Sequence, residues 1–371
     1  MVARSSSRSS RPPPVKTRTK IWKDLQATGG ECITYGSFFS GMENSLLAFK
    51  FAMKAQFGTH AMQRLKHLFA IDNNPHCRAF LRANVGSECI IHGEVKDVPM
   101  KKLPRVEVLW YSPPCQGYSL AGNMAGWEES GQYKDGSLVE YPLQYIKKHR
   151  PTVAIMEQVA TLKTRFPEVF DYIIQSLEGI GARFYQVKAD TLNTRDFGIP
   201  HQRRRVYIVA IAKHAMTQEF EMPPPIRSNV VLKNFLDMRT RGNFSDQPDW
   251  IIKNIICCYA RIIQQGGDPF QQTWIADVRA SQRWKPQIVN THCPTITASR
   301  AMQGGFWVTN LMRFLTAKEM AAFQGLDMLN DVVMPAGLTI PQFNKMVGNS
   351  VSVNVAMLVF DQVLHTNCVG R

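Results

Sequence analysis

ECITYGSFFSGMENSLLA, residues 31–48, decides the fold. Its first half reads as a short apolar strand, followed by a small-residue turn at Ser40–Gly41 and then a helix. Asn44 or Ser45 would cap that helix. Residues 67–72, HLFAID, read as a second strand ending in an acid, and residues 73–84 as the next helix. An acid at a strand tip about 30 residues after a small-residue strand–helix turn is the dinucleotide-binding arrangement. The turn lets the backbone approach a ligand, and the acid takes ribose hydroxyls. Gly41 and Asp72 fit this pattern, although the turn has only one glycine and an ordinary strand–helix turn reads the same way.

Outward from this unit the alternation continues. Residues 106–111 (VEVLWY) read as a buried strand stopped by Pro113 and Pro114. Residues 141–148 read as a helix and 152–156 as a strand. Residues 168–179 read as a helix, 184–189 as extended chain, and 206–212 as another strand. Strand and helix alternating from residue 31 to 212 predict a Rossmann-like, mostly parallel α/β sheet with right-handed crossovers. After Lys213 the rhythm breaks at Pro223–Pro224–Pro225 and Gly266–Gly267, so residues 213–300 are expected to form a smaller inserted domain. Helical signals return at 317–323 and 353–364. The expected division is a basic arm over 1–28, a first catalytic part over 29–212, the insert over 213–300 and a closing catalytic part over 301–371.

The charge narrows the partners. The 371 residues carry 44 Lys and Arg against 29 Asp and Glu, a formal +15. Such an excess points to nucleic acid or an anionic membrane surface. Arg4, Arg8, Arg11, Lys16, Arg18, Lys20 and Lys23 precede the first acid, Asp24, and supply about half of it. The remaining 37 basic and 29 acidic residues leave a body charge of +8. The Ser-, Arg- and Pro-rich arm is expected to be disordered. It suits a solubilising tail, a nucleic-acid arm, a nuclear import signal or an organelle transit peptide. No apolar run approaches the ~18 residues of a membrane span, and no secretory segment follows Met1. The eight cysteines show no C-x-x-C spacing, so reduced thiols and no metal site are expected.

Three stretches carry chemistry. In S-P-P-C-Q-G-Y-S (112–119), Cys115 follows two prolines at a strand's C-terminal end, where open α/β sheets bind ligands. A nucleophilic thiol needs such a rigid position, and a structural cysteine is the alternative. Glu157–Gln158 ends another strand, so thiol and carboxyl would share one cleft. A carboxylic acid there can protonate a ring nitrogen; the competing role is a helix-capping Glu. In G-I-P-H-Q-R-R-R (198–205), strand alternation turns Arg203 and Arg205 one way and Arg204 the other. They suit phosphate or carboxylate contact, or a solvated charge cluster.

Taken in order, these residues resemble the cytosine-C5 DNA methyltransferases. Pro114–Cys115–Gln116 is similar to the family's P-C-Q, Glu157–Gln158–Val159 to its E-N-V, and His201-x-Arg203-x-Arg205 to its Q-x-R-x-R. Gly348–Asn349–Ser350–Val351 is similar to its G-N-S-V. Arg313-x-Leu315–Thr316-x-x-Glu319 with Gln324–Gly325 resembles the preceding motif, and Gly93–Glu94–Val95 the short G-D-I motif.

The resemblance implies a class I methyltransferase-type sheet, an inserted target-recognition domain and S-adenosylmethionine as cofactor. Phe39, Gly41, Asp72, Glu94, Pro114, Asn349 and Ser350 would line the cofactor site: Asp72 on the ribose, Glu94 near the adenine amino group. Cys115 would attack cytosine C6 while Glu157 stabilises protonated N3. Arg205 would assist at the base and Arg203 organise the site. The partner implied is duplex DNA with the target cytosine flipped out. A monomer without metal is expected, located in the nucleus or, through its Arg- and Ser-rich arm, in an organelle. The departures are Ser37 and Glu43–Asn44 in the first motif, Gln158, His201 and Met346. Glu43 is expected to crowd or repel the carboxylate of a ligand. A catalytically silent DNA-binding homologue and an RNA (tRNA) methyltransferase are the competing readings. Arg239, Arg241, Arg279 and Arg283 are candidate contacts to bases or phosphates.

Overall fold

The computed structural model describes residues 32–114, 134–181, 184–226, 230–280, 286–328, 330–366 and 368–369. The basic arm and Cys115 lie outside the described residues. A seven-stranded sheet is built from β1 (Ile33–Phe38), β2 (Leu65–Ile71), β3 (Ile90–His92), β4 (Val108–Tyr111), β5 (Val153–Val159), β6 (Tyr185–Asn193) and β7 (Arg204–Ala212). Their order is β3-β2-β1-β4-β5-β7-β6. All neighbours are parallel except β7, which runs antiparallel to both β5 and β6.

Both faces of the sheet are covered, which is why β4 and β5 are buried along their whole length. Helices α1 (Asn44–Phe57), α2 (Pro75–Asn84), α3 (Glu140–His149), α4 (Thr161–Arg165) and α5 (Pro167–Glu178) belong to this part. Phe38, Leu109, Tyr111, Met156 and Ile208 pack with Tyr145 and Ile146 of α3 and Ile173 of α5. Trp110, Ile155 and Tyr207, their sequence neighbours, and Tyr35 of β1 point the other way, onto a different helix layer. There α1 meets the final helix of the chain, introduced below.

Residues after 212 form α6 (Asp249–Gln264), α7 (Ala298–Met302), α8 (Ala317–Ala322), α9 (Ile340–Asn349) and α10 (Val353–His365). Four short strands pair antiparallel into a second sheet: β8 (Ile275–Ala276), β9 (Ile288–Val289), β10 (Trp307–Val308) and β11 (Arg313–Phe314). Helix α6 lays Ile251, Ile255, Cys258 and Tyr259 against Ala276, Val278 and Trp307. Helix α10 stacks Phe360 on Phe49 of α1, with centroids 4.5 Å apart. The main sheet is therefore covered by segments from both ends of the described chain.

The structure alters three local expectations. Neither Asn44 nor Ser45 caps α1: the residue ahead of the helix is Glu43, in the left-handed region at φ 58, with no side-chain cap. Tertiary partners recruit both candidates. Asn44 Nδ2 donates to Val351 O at 3.1 Å, and Ser45 Oγ accepts from the Tyr35 hydroxyl at 2.8 Å. Strand β5 continues through Glu157 and Gln158 to Val159, because β7 pairs with it along that whole length. The second sheet runs to Phe314, past the expected break at residue 300.

Candidate active site

The reversed direction of β7 creates the site's acidic edge. Its first residues lie beside the last residues of β5, with Val159 opposite Arg205 and Glu157 opposite Tyr207. Glu157 is only 7% exposed, and Arg205 Nε sits 3.1 Å from its Oε1. That contact is an ion pair off line for a hydrogen bond, so Oε1 accepts none. Burial raises the Glu157 pKa, against the opposing pull of Arg205 and Arg203. The carboxyl therefore keeps its proton to a higher pH than an ordinary glutamate does.

Gln158 points away from Glu157. Its Nε2 donates to Pro113 O at 3.0 Å, and its Oε1 accepts from Val159 N at 2.8 Å. The start of the proline loop is therefore tied to β5. Ser112 N donates to Phe38 O, and the Trp110 indole donates to Ser112 Oγ. Pro114 is partly exposed at the end of this run.

Arg203, 2% exposed, holds distant segments together. Nη1 donates to Ile296 O at 3.2 Å and Gly348 O at 3.3 Å, and Nη2 to Ser350 O at 2.6 Å. His201 does similar work. Its Nε2 accepts from Ile296 N at 3.2 Å while Nδ1 faces Phe323 O at 2.9 Å. An amide only donates and a carbonyl only accepts, so the ring is neutral with its proton on Nδ1. Burial, then Arg203, pushes the His201 pKa well below the usual range.

The second corner lies at the tips of β1 and β2. Gly41 N donates to Asp72 Oδ2 at 2.8 Å, and Asn74 N donates to Oδ1 at 2.9 Å. Ser40 exchanges hydrogen bonds with the backbone of Ile71. Phe39 and Gly41 both take positive φ, 57 and 56, so the turn doubles back sharply. No atom approaches the position of a Cβ on Gly41, which leaves space for a ligand. Glu94 is exposed just after β3, and its side chain makes no cap bond. Asn349 is exposed and Ser350 buried; Asn44 joins their segment to α1 through Val351.

This corner suits a cationic nucleoside. Asp72 keeps lone pairs beyond its two backbone bonds, Glu94 is open, and the carboxyl of Glu43 lies below. Glu43 does not crowd the opening as expected: it is 4% exposed and turned inward, where Ser37 Oγ donates to Oε2 at 2.9 Å.

Several motif residues prove to be supports, a role their spacing does not reveal. A Cβ on Gly348 would sit 2.6–2.7 Å from the backbone of Thr297 and Ala298, so that glycine permits α9 to touch α7. Gln324 Nε2 donates to Val347 O and its Oε1 accepts from Ser352. Arg313 and Glu319, 2.7 Å apart, form a clamp onto residues 237–240, and Thr316 with Glu319 makes a capping box for α8. That motif is structural. In the second sheet Arg279 lies over the Phe314 ring at 4.0 Å, and Arg239 and Arg241 are exposed. Arg283 lies outside the described residues.

A largely parallel sheet with one reversed strand and a ligand-type turn after β1 defines a class I methyltransferase-type α/β protein. The S. pombe Dnmt2 methyltransferase has the same fold, with a TM-score of 0.60 at 16% identity over 90% of this chain and 98% of that one. The chain belongs to the C-5 cytosine-specific DNA methylase family, whose profile matches residues 33–365. This family uses S-adenosylmethionine. The type II methyltransferase M.Bsp6I of Bacillus sp. (strain RFL6) is 28% identical over 288 residues, 74% of this chain and 84% of that relative. M1.ScrFI of Lactococcus lactis subsp. cremoris is 29% identical over 185 residues, 49% of this chain and 45% of the relative, so the match spans about half of each.

Proposed function

We propose that this chain methylates C5 of cytosine in DNA through a covalent adduct between Cys115 and C6 of a flipped-out base. The observation that carries the reading is Glu157: a buried carboxyl with one oxygen not hydrogen-bonded, beside Arg205 and next to the tethered proline loop. Cytosine C5 is a weak nucleophile until C6 is attacked. Protonated Glu157 supplies a hydrogen bond or proton to N3 as the Cys115 thiolate bonds to C6, and the electron pair moves to C5. After methylation a water or other base takes the C5 proton, the electron pair of that bond expels the Cys115 thiolate from C6, and N3 returns its proton to Glu157, dividing one hard step into easier ones. S-Adenosylmethionine, when bound, supplies an electrophilic methyl group.

In this reading Phe39, Gly41, Asp72, Glu94, Pro114, Asn349 and Ser350 hold the cofactor. Arg205 serves the base, and Arg203 keeps the Gly348–Ser350 turn in register through its three carbonyl contacts. The small sheet and α6 form the target-recognition unit, beginning after Lys213 and closing at Phe314. The body charge of +8 supports a polyanionic substrate. The test is methyl transfer from labelled cofactor to duplex DNA and to tRNA, followed by mapping of the modified base. C5 methylation of DNA that disappears in Cys115→Ala is expected. Transfer to tRNA alone would move the substrate to RNA, and no transfer with cofactor bound would support the silent homologue.

A further inference from the structure

The cofactor turn carries an acid where the family's first motif runs in glycine. Glu43 stands at φ 58, ψ 34, a conformation that glycine takes freely. Its carboxyl nevertheless lies folded under the turn, 4% exposed. Ser37 Oγ donates to Oε2 at 2.9 Å and is itself 2.6 Å from Ser40 Oγ. Oε1 is buried and accepts no hydrogen bond, since the nearby Tyr35 hydroxyl gives its proton to Ser45. The titratable groups around it are Tyr35 of β1, Asp72 at the tip of β2, Lys50 of α1 and Cys89 ahead of β3. Among the described residues none forms a salt bridge with it. Burial is the largest influence on this carboxyl and raises its pKa to about 7.

We propose that Glu43 is a specificity-determining residue whose ionised carboxylate, beneath the turn, favours the sulfonium cofactor over its neutral thioether product. The inference rests on the S-adenosylmethionine reading of this corner. S-Adenosylmethionine and S-adenosylhomocysteine share their nucleoside and amino-acid parts. They differ by one methyl group and one positive charge at sulfur. A buried carboxylate with no counter-ion gains from that charge, because the attraction acts through a poorly screening medium. Binding the cation pulls the Glu43 proton off into solvent; binding the thioether leaves it largely in place. The site thereby releases product without weakening its hold on the cofactor.

Calorimetric titration of the full chain with each ligand tests this, in two buffers of different ionisation enthalpy and from about pH 5.5 to about pH 8.5. Each pKa unit by which the cofactor lowers Glu43 corresponds to a tenfold change in affinity. Affinity for S-adenosylmethionine is therefore expected to rise about tenfold across that range, with proton release near neutrality. S-Adenosylhomocysteine should show a flatter profile and less proton release. Glu43→Gln should erase the difference between the two profiles. Glu43→Gly, which suits the positive φ, should do the same and serves if the amide variant does not fold. Equal slopes for both ligands in the unmodified protein would overturn the inference while leaving the methyltransferase reading intact. So would a slope difference that survives in either variant. Failure to bind S-adenosylmethionine at any pH would overturn that reading and the inference with it.

Discussion

The sheet buries a carboxyl at two places along one edge, and it treats them differently. At the β5–β7 edge Glu157 faces Arg205 at 3.1 Å, with Arg203 close behind. At the β1–β2 corner Glu43 has hydroxyls around it and no paired cation among the described residues. Topology explains the contrast. Parallel neighbours bring only strand C-termini to the edge, so the corner offers turn amides and small polar groups. The reversal of β7 brings a strand N-terminus to the same edge, and with it the arginines of the 198–205 stretch. An acid with neighbouring cations has part of its burial cost offset before any ligand arrives. An acid without one responds to whatever charge arrives.

The largest expected effect tests the arginine-flanked edge. Glu157→Gln keeps size and polarity but loses the acid. Single-turnover methylation should fall on the order of 10²–10⁴-fold. In the unmodified enzyme the raised Glu157 pKa keeps the acid protonated to higher pH than an ordinary glutamate, and the rate should decline as pH rises through it. That alkaline limb should be missing in the variant. A loss of less than about tenfold would mean the carboxyl is structural, and the two regions would differ in packing alone.

Next comes Arg203→Met, which removes the donors to Ile296, Gly348 and Ser350. Each buried carbonyl left unsatisfied costs about 1–3 kcal/mol, so several kcal/mol of stability should disappear in urea unfolding. Arg205→Met leaves those carbonyls paired and should cost far less stability while lowering the rate. If both substitutions destabilise equally, the division between a holding arginine and an acting one collapses.

How much of this was legible follows the range of each interaction. Strand–helix alternation is local, so six of the seven strands of the main sheet could be read directly, and Asp72 falls at a strand tip as expected; three-residue β3 is too short to leave a pattern. The direction of β7 was not legible, because an antiparallel return has the same apolar pattern as a parallel one. Helix α6 was readable in principle: Ile251, Ile255, Cys258, Tyr259 and Ile262 repeat at helical spacing. The prolines and paired glycines around it mask that repeat. The motif residues did come together, with Arg205 against Glu157 and Arg203 on the turn holding Ser350. Glu43 shows the limit of motif reading. Its letter suggested a charge facing the ligand, whereas its backbone conformation turns the carboxyl under the turn.

The smallest effect concerns that residue in the absence of any ligand. A carboxyl raised from 4.5 to about 7 holds a proton in the folded chain that the unfolded chain has already released. Folding stability should therefore fall as pH rises from 4.5 towards 7, and level off above. Glu43→Gln carries no such proton and should lack this component. The stability difference between the two proteins should shift by up to about 3 kcal/mol between acid and alkaline buffers, with the variant gaining relative strength at high pH. Urea denaturation of both proteins at each pH measures it, and the other titrating groups cancel in the comparison. A difference that stays constant with pH would mean Glu43 titrates as a solvated glutamate. Burial would then cost the corner acid nothing, while the edge acid stays raised despite its arginines, and the contrast drawn between them would be overturned.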